Sequence, residues 1–77
     1  MDKEFKIRAY GKQELAQLYL PDNLPSSASA ALQRWIDGDE DFKTDMAKAG
    51  YHKGQKLLTP KQVKIIVEYL DPPDISL

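Results

Sequence analysis

The chain reads KQELAQLYL over residues 12–20, PDNLP over residues 21–25 and SSASAALQRWI over residues 26–36. The first segment is rich in helix formers and places Leu15, Leu18 and Tyr19 at the i, i+3, i+4 spacing of one buried helix face. Pro21 ends this helix because proline cannot continue the helical hydrogen-bond pattern. The turn formers of residues 21–25 then make a tight connection. The stretch therefore predicts two consecutive helices joined by a short turn.

The second of these helices is predicted over residues 27–36. Ser26 or Ser27 can cap its N-terminus by accepting a hydrogen bond from a free backbone N–H. Its outward face is expected to carry Ser29, Gln33 and Arg34. The apolar residues of the opposite face are expected to enter the core, and they are Ala28, Leu32, Trp35 and Ile36.

The segment before the first helix alternates strictly between apolar and charged residues. Phe5, Ile7 and Ala9 share one side of this pattern, which is typical of a short strand or extended arm over residues 5–10. Gly11 interrupts the pattern where the first helix begins.

Two more helices are predicted after residue 38. The third begins near Asp39, where acidic residues suit the positive end of the helix dipole, and Gly50 fits its left-handed C-terminal cap. Residues 51–58 have no helical period and are expected to form a loop or short hairpin. Thr59-Pro60-Lys61-Gln62 is a capping box with proline at the first helical position of a fourth helix.

These elements define the expected fold class. It is mostly α, with four helices and a short β-strand or hairpin in a helix-turn-helix-like arrangement. A chain of 77 residues supports a single core, so one domain is expected over residues 1–77. Its ordered core should span residues 5–71, and residues 72–77 should form a frayed tail.

Composition excludes several classes of function. The chain has no cysteine and one histidine, which removes disulfides, thiol catalysis and Cys-type zinc sites. Glycine motifs for phosphate or dinucleotide binding are absent. No apolar run approaches the length of a membrane span, and no signal peptide is recognisable. We therefore expect a cytoplasmic protein that is not an enzyme and has no metal, cofactor, membrane or small-molecule ligand.

Charge is segregated along the chain, although the formal net charge is only −1. Residues 37–47 hold five acids and one lysine, and residues 48–64 hold five lysines and no acid. Blocks of this kind are ordinarily solvated faces. A basic block is also a candidate surface for an anionic partner.

Three segments together resemble winged-helix proteins of the MerR and excisionase type: KQELA over residues 12–16, SAALQRWI over 29–36 and LTPKQV over 58–63. In those proteins the second helix enters the major groove and a wing touches phosphate. Residues 39–50 are an insertion relative to that order of elements. The resemblance implies a recognition helix with Ser26, Ser27, Ser29, Ala30, Gln33 and Arg34 on its outward face, and a wing with Lys53 and Lys56.

A second resemblance covers almost the whole chain. FKIRAYGKQELA over residues 5–16, Trp35-Ile36, Gly50-Tyr51 and LTPKQV over 58–63 are similar to a family of short Bacteroidales proteins known as domain of unknown function 4248. This resemblance agrees with the helix boundaries above and implies no activity.

The leading hypothesis is a DNA-binding domain. The helix over residues 27–36 would lie in the major groove, and the basic segment 48–64 would contact phosphate. Arg34 could bond guanine or phosphate, and Gln33 could read adenine. The candidate site residues are Ser27, Ser29, Ala30, Gln33, Arg34, Lys53, Lys56 and Lys61.

Each of these assignments has a purely structural alternative. A serine can act only as a helix cap, and Arg34 can pair only with Asp37 or with solvent. The DNA hypothesis also requires the acidic segment 37–45 to face away from Arg34, Lys53 and Lys56.

The other hypothesis is a protein-interaction adaptor or a module that binds a second copy of itself. An open strand edge over residues 5–10 would invite pairing. Exposed apolar residues could also gather into a patch, and the candidates are Leu24, Leu57, Tyr69 and Ile75. Ionic strength separates the two hypotheses, because phosphate binding weakens steeply with salt whereas apolar association does not.

Overall fold

The computed structural model describes residues 5–73. These residues form four helices and a two-stranded antiparallel sheet, which confirms the expected mostly α fold class. None of the helices within residues 5–73 is both long and apolar enough to cross a membrane. In chain order the elements are β1 (Tyr10–Gly11), α1 (Lys12–Tyr19), α2 (Pro25–Asp37), α3 (Glu40–Lys48), β2 (Leu57–Leu58) and α4 (Pro60–Leu70).

The N-terminal strand is shorter than the alternating pattern predicted. Only Tyr10–Gly11 pairs with β2, and Tyr10 lies opposite Leu58. The preceding residues pack around the Tyr10 ring instead: Phe5 stacks on it at 5.2 Å between ring centroids, and the Tyr10 hydroxyl donates to the carbonyl oxygen of Lys6. Of the short strand or extended arm predicted over residues 5–10, only Tyr10 lies in a strand, because β2 offers only two residues for pairing.

Helices α1 and α2 are consecutive and are joined by residues 20–24. Helix α1 ends at Tyr19, which confirms the stop expected before Pro21. Helix α2 begins at Pro25, with Leu24 as its N-cap residue in an extended conformation. Proline suits the first helical position because it has no N–H to leave unpaired. The predicted cap at Ser26 or Ser27 was wrong, and both serines lie exposed in the first turn of α2.

The core forms where the four helices meet the sheet. Trp35 was predicted to lie in this core, but the prediction was wrong, because 37% of the residue is exposed. Its indole meets the Tyr19 ring edge-on, at 6.3 Å between centroids and 81° between planes. Tryptophan is large, so a place on the apolar face of a helix does not ensure that the whole ring is covered. The core cluster is Tyr10, Leu15, Ala16, Ala28, Leu32, Ile36, Phe42, Met46, Leu58, Val63 and Ile66.

Three predicted helix termini are confirmed. The Asp39 carboxylate accepts hydrogen bonds from two backbone N–H groups in the first turn of α3, at 3.0 and 3.3 Å. Gly50 follows α3 with a φ of 84°, the left-handed conformation that glycine adopts without strain. Thr59 and Gln62 form the reciprocal capping box of α4, at 3.2 and 3.0 Å.

The C-terminal end of the described chain lies against the protein. Pro73 is buried, although the sequence placed it in a frayed tail. The remainder of that expected tail, residues 74–77, lies outside the described residues, as does Ile75.

Candidate nucleic-acid interface

Most of the predicted site residues line one surface depression, which we call the basic groove. It runs between the start of α1, the outward face of α2 and the loop before β2, as two adjoining open cavities of about 490 and 460 Å³. Both cavities are lined by Lys12, Gln13 and Ser29, so they form one continuous surface. The first is also lined by Ser26, Ala30, Gln33, Arg34, Asp37 and Lys53, and the second by Gly11, Glu14, Gly54, Gln55 and Lys56.

The structure brings six of the eight predicted residues to the basic groove. They are Ser29, Ala30, Gln33, Arg34, Lys53 and Lys56. Ser27 and Lys61 do not line it. Ser27 is exposed in the first turn of α2, and Lys61 is exposed in the first turn of α4.

Gln33 is buried rather than on the outward face, which corrects the sequence prediction. Only 9% of the residue is exposed. Its Oε1 accepts a hydrogen bond from Lys12 Nζ at 2.8 Å and another from the Tyr51 hydroxyl, and its Nε2 donates to Asp37 Oδ1 at 3.1 Å. Lys12 and Tyr51 reach this flank of α2 from elements remote in sequence. The Gln33 amide is therefore engaged inside the protein and is not free to read adenine.

Lys12 is a buried residue of the groove that the sequence did not indicate as a site residue. The residue is only 8% exposed, and its Nζ lies 5.4 Å from the centroid of the Tyr51 ring. A sequence signal for its burial exists, because Lys12, Leu15, Ala16 and Tyr19 follow the i, i+3, i+4, i+7 spacing of one helix face.

Burial of this lysine also changes its acidity. Desolvation lowers the pKa of Lys12 below 10.5, the nearby Asp37 carboxylate opposes this shift, and the Lys53 charge adds to it. Burial, followed by the Asp37 charge, raises the pKa of Tyr51 to about 12. The groove is therefore lined by the buried polar residues Lys12 and Gln33, and Tyr51 covers them from behind while Asp37 stays exposed.

The charge of the basic groove is positive but mixed. Lys12, Arg34, Lys53 and Lys56 line it together with Glu14 and Asp37. Lys53 Nζ lies 3.9 Å from Asp37 Oδ2, and the Lys53 side chain is 81% exposed, so this is a weak surface ion pair. Among residues 5–73, Arg34 has no carboxylate within 4 Å. Asp37 therefore pairs with Lys53 rather than with Arg34.

The acidic segment is divided between two sides of the protein. Asp37 faces the basic groove, so the requirement that this segment point away from Lys53 is not met at this residue. Asp39 lines a different cavity together with Arg34, so the requirement is not met there with respect to Arg34. Asp45 accepts a hydrogen bond from the Tyr69 hydroxyl of α4 at 2.6 Å.

The elements and their order define a small, mainly helical domain built on two consecutive helices and a short sheet. A family model described as Domain of unknown function (DUF4248) matches residues 6–73, so the chain belongs to this family. The family expected from the sequence is thereby confirmed. No curated protein and no solved structure matches the chain.

Proposed function

We propose that the basic groove binds double-stranded DNA, mainly through its phosphate backbone, with α2 acting as the recognition helix. The supporting observation is that Arg34, Lys53 and Lys56 all line the depression beside the outward face of α2. In this proposal the loop that carries Lys53 and Lys56 takes the part of a wing. Cationic side chains spaced along such a surface release counterions from DNA when they contact its phosphates.

The outward face of α2 suits close approach of a nucleic-acid backbone. Ser26, Ser29 and Ala30 are small residues that line the groove. The two hydroxyl groups can donate hydrogen bonds to phosphate oxygens, which positions a protein without reading sequence. Because Gln33 is bonded internally, base reading depends on Arg34. We therefore expect weak sequence preference.

Asp37 limits the expected affinity. A phosphate that approaches Lys53 must displace the Asp37 carboxylate, which costs little for an exposed pair. The carboxylate then remains beside the bound phosphate and repels it. With four basic and two acidic side chains in the groove, binding should be modest and strongly dependent on salt.

The test is fluorescence anisotropy with a mixed-sequence DNA duplex at about 50 mM and about 200 mM salt. A groove variant combines Arg34→Ala, Lys53→Ala and Lys56→Ala. The matched control combines Lys48→Ala, Lys61→Ala and Lys64→Ala, which removes the same charge from exposed positions that do not line the groove.

We expect the unmodified protein to bind at low salt and to weaken at high salt. The groove variant should lose most of this affinity, and its salt slope should fall by about one for each lost phosphate contact. The control should lose much less. The absence of binding at low salt, or equal losses in the two variants, would contradict the proposal.

A second candidate is a protein-interaction module, and one observation favours it. Trp35 and Tyr69 are both partly exposed and line a second cavity, which within residues 5–73 shares only Arg34 with the basic groove. The other expected contributors support it less. Leu24 and Leu57 are exposed but do not line that cavity, and the two-residue strand β1 offers little edge for pairing.

A further inference from the structure

A second surface depression, which we call the aromatic cavity, lies beyond the C-terminal half of α2. It is open and has a volume of about 560 Å³. Side chains from all four helices meet there, and Asp39 before α3 completes the wall. The residues that carry the argument are Tyr19, Arg34, Trp35, Asp39, Tyr69 and Leu70.

The aromatic rings of the cavity are held in fixed positions. Tyr69 stacks on the buried Phe42 ring at 4.6 Å between centroids and 5° between planes, and its hydroxyl donates to Asp45 at 2.6 Å. The Tyr19 hydroxyl donates to the Asp71 carbonyl oxygen at 2.6 Å. Trp35 packs edge-on against Tyr19. A ligand would therefore meet aromatic surfaces that are already in place, which reduces the entropy lost on binding.

The surroundings of these rings are negatively charged. The hydrogen bond to Asp45, then burial and the charges of Asp45, Asp41 and Asp39, raise the pKa of Tyr69 to about 12. Burial and the Asp71 carboxylate raise the pKa of Tyr19 to about 12. Asp39 lines the cavity and the Asp45 carboxylate lies 2.6 Å from the Tyr69 hydroxyl, so carboxylates outnumber Arg34, the one basic residue that the described chain contributes to the lining, and the rim attracts cations.

Asp39 keeps one carboxylate oxygen available. Its Oδ1 accepts the two backbone hydrogen bonds that cap α3. Asp39 has no basic side chain within 4 Å among residues 5–73, although Arg34 lines the same cavity. An incoming cation can therefore approach Asp39 without breaking an existing ion pair.

We propose that the aromatic cavity binds an arginine side chain from a basic, extended segment of a partner protein. A guanidinium group is planar and weakly hydrated, so it stacks on aromatic faces while it donates to carboxylates at the rim. A purely apolar segment would desolvate these carboxylates without compensation. Nucleic acid would be repelled by them. Among the described residues, the aromatic cavity shares Arg34 with the basic groove but none of the other residues that line that groove, and the proposal does not depend on DNA binding.

The experiment uses the full chain and a synthetic peptide, Gly-Ser-Arg-Gly-Arg-Gly-Ser. Trp35 is the only tryptophan, so its fluorescence and its indole N–H signal in a ¹H–¹⁵N spectrum report directly on the cavity. The reference peptide replaces both arginines with citrulline, which keeps the planar shape and removes the charge. We expect a saturable response to the arginine peptide and binding roughly tenfold weaker for the citrulline peptide.

Two variants and two controls locate the site. Trp35→Leu removes the aromatic wall, and Asp41→Asn with Asp45→Asn removes rim charge while an acceptor for the Tyr69 hydroxyl remains. Each variant should weaken binding of the arginine peptide severalfold. In Trp35→Leu, which lacks tryptophan, binding is followed through the backbone amide signals instead. Glu14→Gln removes one negative charge in the basic groove, and Lys53→Ala with Lys56→Ala disrupts that groove. Neither control should weaken peptide binding.

Three results would contradict the proposal. Equal binding of the two peptides would overturn the proposal, as would spectral changes that map to the basic groove. Self-association in sedimentation that Trp35→Leu abolishes, together with no response to the arginine peptide, would also overturn it, because a second copy of the chain would then be the occupant. If Trp35→Leu fails to fold, the variant with Asp41→Asn and Asp45→Asn still tests the proposal, provided that thermal unfolding shows that this variant is folded.

Discussion

The ammonium nitrogen of Lys12 lies 2.8 Å from Oε1 of Gln33, and both residues are buried. Gln33 Oε1 is thus the acceptor for a buried cation that has no carboxylate within 4 Å among residues 5–73. A buried donor that loses its only acceptor bears the full cost of desolvation. We expect Gln33→Leu to lower the free energy of unfolding by about 2–3 kcal/mol, measured by urea denaturation.

The double variant Lys12→Met with Gln33→Leu is the control for this prediction. It removes the Lys12 donor together with the acceptor, whereas the Tyr51 hydroxyl still loses its partner, so part of the lost stability should return. A double variant as unstable as the sum of the two single variants would show that the side chains are not coupled.

Gln62 connects the capping box of α4 to the end of α3. Its Oε1 accepts from the Thr59 backbone N–H at 3.0 Å and from Gln55 Nε2 at 2.5 Å, and its Nε2 donates to the Ala49 carbonyl oxygen at 3.1 Å. We expect Gln62→Leu to cost about 2–3 kcal/mol, because the part-buried Thr59 N–H and Ala49 carbonyl groups lose the partner that a buried side chain supplies. Gln55 is less buried than Gln62, so Gln55→Ala should lower the free energy of unfolding clearly less in the same denaturation assay. The reverse order would contradict this role.

Stability should fall at alkaline pH between about 10 and 12. The pKa values of Tyr19 and Tyr51, raised chiefly by burial, and of Tyr69, raised chiefly by its bond to Asp45, are all about 12 rather than 10. Their contribution is complete below pH 10, because the unfolded tyrosines also remain protonated there. It is lost as pH rises through 12. Urea midpoints measured across this range test the prediction, and Tyr69→Phe should make the decline shallower.

Lys12 should have the opposite effect on the pH dependence of stability from that of the three tyrosines. Its pKa is lowered in the folded protein, so the unfolded state binds more protons between that value and 10.5, and stability rises with pH in this window. Lys12→Met removes the rise. A variant with the same pH profile as the unmodified protein would show that burial of Lys12 has no linkage to folding.

Asp37→Asn should strengthen DNA binding. The substitution removes a carboxylate from the basic groove and releases Lys53, while an amide oxygen can still accept from Gln33 Nε2. We expect roughly fivefold tighter binding at low salt, equivalent to about 1 kcal/mol. Asp22→Asn in the exposed turn before α2 is the charge-matched control in the anisotropy assay. An equal gain for both variants would point to a general charge effect.

Gly50→Ala should destabilise the protein by about 1 kcal/mol, because alanine is strained in the left-handed conformation at φ 84°. No atom lies within 4 Å of a Cβ added at Gly50 or at Gly54, so crowding does not distinguish the two positions. Only Gly50 has a left-handed φ. Gly54→Ala is therefore the matched control in thermal unfolding and should change stability little. Equal losses would contradict the conformational explanation.

Local sequence signals fixed most helix boundaries. Pro21 ended α1, Asp39 capped α3, and the box from Thr59 to Gln62 started α4. Each signal acts through residues within one turn of the boundary, so a single stretch of sequence contains all the information required. The start of α2 differed, because Pro25 at the first helical position took precedence over the serine caps.

The sequence by itself also determined the family and the mostly α fold class. Six predicted site residues lie beside one groove, but Gln33 is buried there rather than on the outward face of α2. Tertiary structure decided which side chains are covered. Lys12 and Tyr51 enclose Gln33, whereas the Tyr19 ring covers only part of Trp35. Periodicity assigns a residue to a helix face, but the atoms that exclude water from that face come from segments distant in sequence, and only the folded chain brings them together.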